Sequence, residues 1–289
     1  MPVFNSRLLP HDGGPENESR LPSNGAGPIS GPNEPVITTK TTTKTTDRVT
    51  ELILGHGKVN EMDLEFCEDL TRQLLELAAD DSCRAVILRS DLRVFSAGVD
   101  LVRLVNEPVS YLDQFLPALT TMFTTALEFP KPLVAEINGA AIAGGCVMAS
   151  ACDHRVIAPE AKIGIPELRV GVPLPSEGIE IMRSVANSSD FQQIVLTGAT
   201  FAGQKAVEAG LADQVAEGDQ MSEVCHAVAQ QLTYIPATVY ALSKQQLRRP
   251  VMERIQIGEE KFGEQIRALW YSDEVRTAVK EYVAERLKK

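Results

Sequence analysis

The stretch NGAAIAGGCVMASACD, residues 138–153, places two adjacent glycines, Gly144 and Gly145, at the start of an apolar helix built from small residues. Glycine destabilises a helix, so a pair at this position indicates that another group approaches the backbone closely. The first turn of a helix also offers unpaired N–H groups and the positive end of the helix dipole. The stretch therefore predicts either a site for an oxyanion or a phosphate, or tight packing of a buried helix against a strand.

A second glycine corner, FSAGVDL at residues 95–101, also falls between a predicted strand and a predicted helix. Two such corners can present two backbone N–H groups to one oxygen atom, which is an oxyanion hole. Further along, IGIPELRVGVP at residues 163–173 carries Glu167 in an otherwise apolar loop. Apolar surroundings disfavour the charged form of a carboxyl group and so tune it for proton transfer. The alternative for Glu167 alone is a loop acid paired with Arg169.

Strands and helices alternate along the middle of the chain. The composition predicts a disordered segment before this region and a helical segment after it. RVTELILG, CRAVILRS and KPLVAEING read as strands, and helical periods follow in MDLEFCEDLTRQLLELAADD and across 111–129. This alternation favours an α/β fold, although no internal sequence repeat is visible. Residues 1–46 are rich in Pro, Gly, Ser, Asn and Thr, which predicts a disordered tail. We expect a core over 47–235 and a charged helical region over 236–289.

Composition narrows the classes of function. The net charge of −11 and the isoelectric point of about 5.0 argue against nucleic acid as the main partner. The five cysteines have no paired short spacing, which predicts reduced thiols and a cytoplasmic location. A mitochondrial location is the alternative, although acidic residues near the N-terminus count against a transit peptide. The longest polar-free run, 139–151, is too short to span a bilayer, so we expect no membrane span.

The two corners and the glutamate loop, in this order, resemble the crotonase, or enoyl-CoA hydratase/isomerase, superfamily. The resemblance extends from about Arg48 to the C-terminus and includes VILRSDLRVFSAGVDL, KPLVAEINGAAIAGGCVMASACDHRV and LTGATFAGQKAVEAGLADQV. It implies a spiral core of ββα units, a C-terminal helical region used in trimer assembly, and acyl-CoA thioesters as ligands. A homotrimer or a dimer of trimers is therefore expected. The resemblance implies no metal or redox cofactor, because coenzyme A is part of the substrate.

Carried over by position, the resemblance implies that the backbone N–H groups of Val99 and Gly144 form the oxyanion hole. Glu167 would be the catalytic acid/base. The acyl pocket is expected between residues 102–123 and the C-terminal helices. Candidate contacts for the substrate and its CoA group are Lys58, Ala97, Gly98 and Gly145.

Val147 separates the possible reactions. Family hydratases carry a first glutamate three residues after the second oxyanion glycine, where this chain has Val147, and a second one at the position of Glu167. Water addition uses both acids, whereas isomerisation of a 3-enoyl thioester to the trans-2-enoyl thioester needs one base, so the pattern is most like a Δ3,Δ2-enoyl-CoA isomerase. Glu177 or Glu180 would restore a second acid if either reached the pocket. The alternatives are therefore an enoyl-CoA hydratase, an acyl-CoA hydrolase or a non-catalytic acyl-CoA-binding member.

Overall fold

The fold is a succession of strand and helix units, seen here in a computed structural model. The residues described are Thr38–Lys44 and Asp47–Arg286, and all of them belong to one compact unit. The strands are Thr38–Lys44 (β1), Asp47–Leu54 (β2), Glu61–Met62 (β3), Ala85–Ser90 (β4), Gly98–Val99 (β5), Leu133–Ile137 (β6), Ala141–Ile142 (β7), His154–Ile157 (β8), Lys162–Gly164 (β9), Thr200–Ala202 (β10) and Gln214–Val215 (β11).

Helices connect these strands and form the C-terminal part of the described chain. They are Leu64–Ala79 (α1), Leu101–Asn106 (α2), Leu112–Glu128 (α3), Gly144–Ala151 (α4), Glu167–Val170 (α5), Ser176–Val185 (α6), Ser188–Thr197 (α7), Gly203–Glu208 (α8), Met221–Thr233 (α9), Ala237–Trp270 (α10) and Asp273–Arg286 (α11), with a short 3-10 turn at Val109–Tyr111. Among the described residues, no helix combines the length and the apolar character needed to cross a membrane.

One large sheet carries the core, in the order β1-β2-β4-β6-β8-β11. All neighbouring strands in it are parallel except β1 and β2, which are antiparallel. Every residue of β6 is buried, as expected for a parallel strand covered on both faces. Helix α1 packs against α3 and buries Leu70, Leu74 and Leu77 in the core that it shares with this sheet; these are three of the four leucines whose spacing predicts a buried helix face.

The sequence of elements confirms the predicted crotonase-like spiral. Each of four large-sheet strands is followed by a short strand and then by a helix: β2-β3-α1, β4-β5-α2, β6-β7-α4 and β8-β9-α5. The short strands pair with one another in the β3-β5 and β10-β9-β7 sheets, and a bridge from Ser96 to Ala141 links the two sets. This pairing brings the strand-to-helix corners next to one another.

Both ends of the chain differ in character from the spiral. Thr38–Lys44 forms β1 along β2, although the composition predicts disorder there; threonine has a high propensity for strands, which the compositional argument ignores. The rest of the predicted tail, 1–37 and 45–46, lies outside the described residues. Helix α10 begins at Ala237, beside the predicted start of the helical region, and packs against α3 and α6.

Candidate active site

A cavity of about 510 Å³ opens among the strand-to-helix corners, α3, α5 and the C-terminal helices. Its wall is mainly apolar, with side chains that include Val102, Leu119, Phe123, Val147 and Leu174. Such a cavity, with a few polar groups converging on it, has the character of a small-molecule site. The part formed by residues 102–123 and the C-terminal helices is the wall that the sequence assigns to an acyl chain.

The two glycine corners touch at one end of this cavity. A methyl group placed on Gly98 would lie 3.0 Å from the Gly144 nitrogen and 2.7 Å from the Ala143 Cβ. Gly98 also has a φ of +83°, a conformation that glycine adopts without steric cost. Close contact and backbone conformation therefore both require glycine at this position.

Val99 and Gly144, the residues expected to supply the two N–H groups, both belong to the cavity wall, and hydrogen bonds hold the backbone on either side of Val99. Gly98 N donates to Ser96 Oγ at 3.1 Å, and Asp100 N donates to Met62 O at 3.0 Å. Gly144 is the first residue of α4, where an N–H has no partner within the helix. Both residues line the cavity.

A buried hydrogen-bond network that the sequence reading missed holds the first corner in place. Asn60, with a φ of +51°, donates from Nδ2 to Ser90 Oγ at 2.8 Å and to Phe95 O at 3.0 Å. Ser96 Oγ donates to the Asn60 carbonyl at 2.7 Å. The available clue was an asparagine at a tight corner, because asparagine is enriched among residues with positive φ.

Glu167 lies in the cavity wall at the start of α5, a four-residue helix, rather than in a loop as the sequence predicts. Its Oε2 atom is buried and, among the described residues, has no hydrogen-bond partner. Burial raises the pKa of the Glu167 carboxyl from 4.5 to about 7, while a backbone hydrogen bond opposes the shift. Glu167 does not form the alternative ion pair with Arg169 among the described contacts, because Arg169 Nε donates instead to Thr197 O at 2.6 Å. A carboxyl with such a pKa can both accept and return a proton near neutral pH.

Two further carboxyl groups line the cavity, and each accepts a hydrogen bond from a backbone N–H group. Asp100 Oδ1 accepts from Arg103 N at 2.9 Å and caps the start of α2. Glu61 Oε2 accepts from Val59 N at 3.3 Å. Glu61 went unrecognised in the sequence, where an isolated acid beside a turn carries no distinguishing pattern. These bonds distinguish both side chains from Glu167.

None of the three positions considered for a second acid, Val147, Glu177 and Glu180, places a carboxyl group in the cavity wall. Val147 lines the cavity on α4 with 2% of its surface exposed. Glu177 lies outside the cavity wall; it is buried, accepts from Thr120 Oγ1 at 2.6 Å, and has a pKa that burial raises. Glu180 forms ion pairs with Arg183 and Arg254. Glu177 is thus buried in the first turn of α6 without lining the cavity.

The candidate substrate contacts separate into two groups. Ala97 lines the cavity, whereas Lys58 is exposed outside its wall. Gly98 and Gly145 are buried behind the wall and act there through close packing; a Cβ on Gly145 would lie 2.5 Å from the Ser96 carbonyl oxygen. The two glycines therefore match the two alternatives predicted for this corner, a ligand site and tight packing. Gly144 lines the cavity, and Gly145 permits the helix to approach Ser96.

The far wall of the cavity comes from the C-terminal helices. Trp270, at the end of α10, and Tyr282 and Val283 of α11 all line it. Trp270 is the only tryptophan of the chain and is 6% exposed. The helical region therefore contributes directly to the site.

Comparison with known proteins identifies the family. The model of the family described as enoyl-CoA hydratase/isomerase matches residues 45–288. The chain belongs to the enoyl-CoA hydratase/isomerase family. This finding confirms the resemblance seen in the glycine corners and in the glutamate segment.

Relatives within the enoyl-CoA hydratase/isomerase family include proteins named for either reaction. Mitochondrial enoyl-CoA delta isomerase 1 from Homo sapiens is 29% identical over 200 residues, which cover 68% of this chain and 66% of the relative. The crystal structure of human mitochondrial delta3-delta2-enoyl-CoA isomerase has a TM-score of 0.78 at 27% identity, covering 83% of this chain and 94% of that one. A probable enoyl-CoA hydratase from Mycobacterium tuberculosis has a TM-score of 0.72 at 26% identity, covering 78% and 95%.

Proposed function

We propose that this chain converts 3-enoyl-CoA thioesters to trans-2-enoyl-CoA thioesters, with Glu167 as the acid/base. The Glu167 carboxylate removes a proton from C2 of the substrate, and the electrons move into a dienolate. The N–H groups of Val99 and Gly144 stabilise the negative charge on the thioester oxygen. The proton then returns from Glu167 to C4, which leaves the double bond conjugated with the carbonyl. The reaction is redox-neutral, so the proposal requires no cofactor beyond the coenzyme A of the substrate.

The observation that carries the proposal is the state of Glu167. Among the cavity carboxyls, its Oε2 is the buried oxygen without a partner in the described chain. A proton shuttle needs a base with a pKa near the working pH, and burial raises the pKa of Glu167 to about 7. Val147 supplies no acid that would orient water, which favours isomerisation over hydration.

The test follows the ultraviolet absorbance of the conjugated thioester when the protein is mixed with a 3-enoyl-CoA. We expect the wild type to produce conjugation and Glu167→Gln to lose roughly 10²–10⁴-fold in kcat, because an amide cannot carry the proton. Glu177→Gln is the matched control, since that carboxyl is also buried but lies outside the cavity wall. No conjugation by the wild type, or equal rates for Glu167→Gln, would refute the proposal.

Hydration of 2-enoyl-CoA is the second candidate function, and Glu61 is the observation that favours it. Its carboxyl lines the same cavity as Glu167 and would act as a second acid if it exchanged the Val59 N–H for a water molecule. Loss of the absorbance of a 2-enoyl-CoA would report hydration. If Glu61→Gln abolished that loss and left conjugation of the 3-enoyl substrate intact, the chain would catalyse both reactions.

For cellular location, the names of the relatives favour the mitochondrial alternative over the cytoplasm. We therefore propose a mitochondrial protein. Fluorescence from a full-length fusion that fills the cytoplasm and avoids mitochondria would contradict this.

For assembly, the homotrimer or dimer of trimers implied by the resemblance stays a proposal. Sedimentation of the purified protein as a monomer would contradict it.

A further inference from the structure

Helix α11 contacts both halves of the proposed catalytic apparatus. It packs against α2, which follows the Val99 corner directly, and against α5, which carries Glu167. We infer that Arg276 is a positioning residue, which holds α11 across the cavity so that Glu167 and the Val99 corner keep their working arrangement. The kinetic part of this inference rests on the proposed isomerase function, whereas its structural part does not.

The contact with α2 is made by the Arg276 side chain. Arg276 Nη2 donates to Val105 O and to Glu107 O, each at 2.9 Å. The last carbonyl groups of a helix have no partner within it and carry the negative end of its dipole, so a guanidinium group is a suitable cap. Because α2 has only six residues, fixing its C-terminal end also restrains the corner at its N-terminal end.

The contact with α5 is a close backbone approach. A methyl group on Gly171 would lie 2.8 Å from the Ala278 Cβ. Gly171 has a φ of +88° and ends α5 by donating its N–H to Glu167 O at 3.0 Å. Displacement of α11 would therefore remove the packing that supports the short helix of Glu167.

Between these two contacts, the C-terminal helices form the cavity wall. Val275 and Val279 anchor α11 in the core with 5% and 0% of their surfaces exposed. Trp270, Tyr282 and Val283 then form part of the cavity wall. Burial is what raises the pKa of Glu167, so a displaced α11 would admit water and lower that pKa.

The groups around Glu167 leave desolvation as the main cause of its raised pKa. The other titratable side chains lining the cavity are Glu61, Asp100 and Tyr282. The buried thiol of Cys146 lies nearby; burial, and secondarily the charge of Glu167, raise the pKa of that thiol. Arg169, on α5 itself, is directed to Thr197 O. No cationic side chain appears among the described residues of the cavity wall.

The first experiment uses the fluorescence of Trp270, which needs no turnover. We expect Arg276→Ala to shift the emission to longer wavelength and to increase quenching by acrylamide severalfold, since the indole becomes hydrated. Lys280→Ala, an exposed position on the same helix, is the matched control and should match the wild type. Arg276→Lys, which keeps the charge but replaces the Nη2 group that donates both bonds with a shorter side chain, should be intermediate. Unchanged emission and quenching in Arg276→Ala would overturn the inference.

The second experiment measures the isomerase rate against pH for the same variants. We expect Arg276→Ala to lose roughly ten- to a hundredfold in kcat/KM, the cost of small misplacement of reacting groups. Its acid limb should move from about pH 7 toward the ordinary carboxyl range, because Glu167 becomes hydrated. A purely structural role would lower the yield of folded protein and leave the acid limb in place, which would overturn the positioning role. An inactive wild type would refute the proposed function, and the fluorescence result would still decide the structural part.

Discussion

The two sides of the cavity are built in different ways. The side proposed to hold the oxyanion, here called the oxyanion side, consists of backbone groups from two glycine corners that contact each other directly. The side proposed to supply the acid/base, here called the acid side, consists of one side chain, Glu167, on a four-residue helix supported by a distant part of the chain. Backbone groups fixed by adjoining strands are rigid without further support, whereas a side chain on a short helix depends on what packs over it. The comparison indicates that substitutions on the first side affect geometry and those on the second affect protonation.

On the oxyanion side, the largest effect is expected from Gly98→Ala. The new methyl group would lie 2.7 Å from the Ala143 Cβ and 2.9 Å from the Ile142 carbonyl oxygen, in a backbone conformation that L residues rarely adopt. The corners would separate, and loss of one oxyanion donor costs roughly 10²–10³-fold in kcat. Gly218→Ala is the control, because a Cβ there meets no atom within 4 Å. Full activity of Gly98→Ala, measured by the conjugation assay, would show that the contact between the corners is dispensable.

An intermediate effect is expected on stability from Glu167→Gln. The pKa of Glu167 is about 7 in the folded protein and near 4.5 when exposed, so the folded state binds the additional proton between those values. Wild-type stability is therefore greatest with the carboxyl protonated and falls as the pH rises from about 4.5 to about 7, by on the order of 3 kcal/mol. Glutamine removes this dependence, so the variant should be the more stable protein at pH 8. Denaturant unfolding at pH 5 and pH 8 measures it; equal pH dependence in both proteins would contradict a desolvated carboxyl.

The smallest effect is expected from Ala143→Gly. Ala143 has a φ of +56° and a ψ of −127°, a conformation that is strained for alanine and accessible to glycine. Relief of the strain and greater freedom of the unfolded chain oppose each other, so the free energy of unfolding should change by less than about 1 kcal/mol. Thermal unfolding together with the conjugation assay provides the check. A large loss of activity would mean that the Ala143 methyl group contributes to the site, and the oxyanion side would then depend on more than its backbone.

The oxyanion side could be predicted from the sequence because residues close together in the chain determine it. Gly98, Gly144 and Gly145 mark places where a side chain cannot fit, and the strands that lead to them follow from β-branched, apolar runs. The ββα spiral itself came from the resemblance, because its structural repeat leaves no visible repeat in the sequence. Asn60 escaped notice for a related reason: its hydrogen bonds join segments that are distant in the chain.

The acid side was predictable only in part. Glu167 was identified by its apolar surroundings, but the short helix that begins there depends on packing from α7 and α11. The buried state of Glu177 depends on Thr120 of α3, which no local pattern relates to it. Likewise, the sequence places the C-terminal helices at the pocket without indicating that Trp270 would form its wall. Long-range contacts decided each of these features.

The charge of the cavity wall has a kinetic consequence. Its described residues include three carboxyl groups and neither lysine nor arginine, on a chain whose net charge is −11. A coenzyme A thioester carries several phosphate charges, so the long-range field of the protein repels the ligand that the cavity is proposed to hold. Dissolved salt screens such repulsion over a Debye length of about 10 Å at 0.1 M. Encounter with substrate should therefore become faster as ionic strength rises, the reverse of the behaviour of enzymes that attract polyanions through a basic surface.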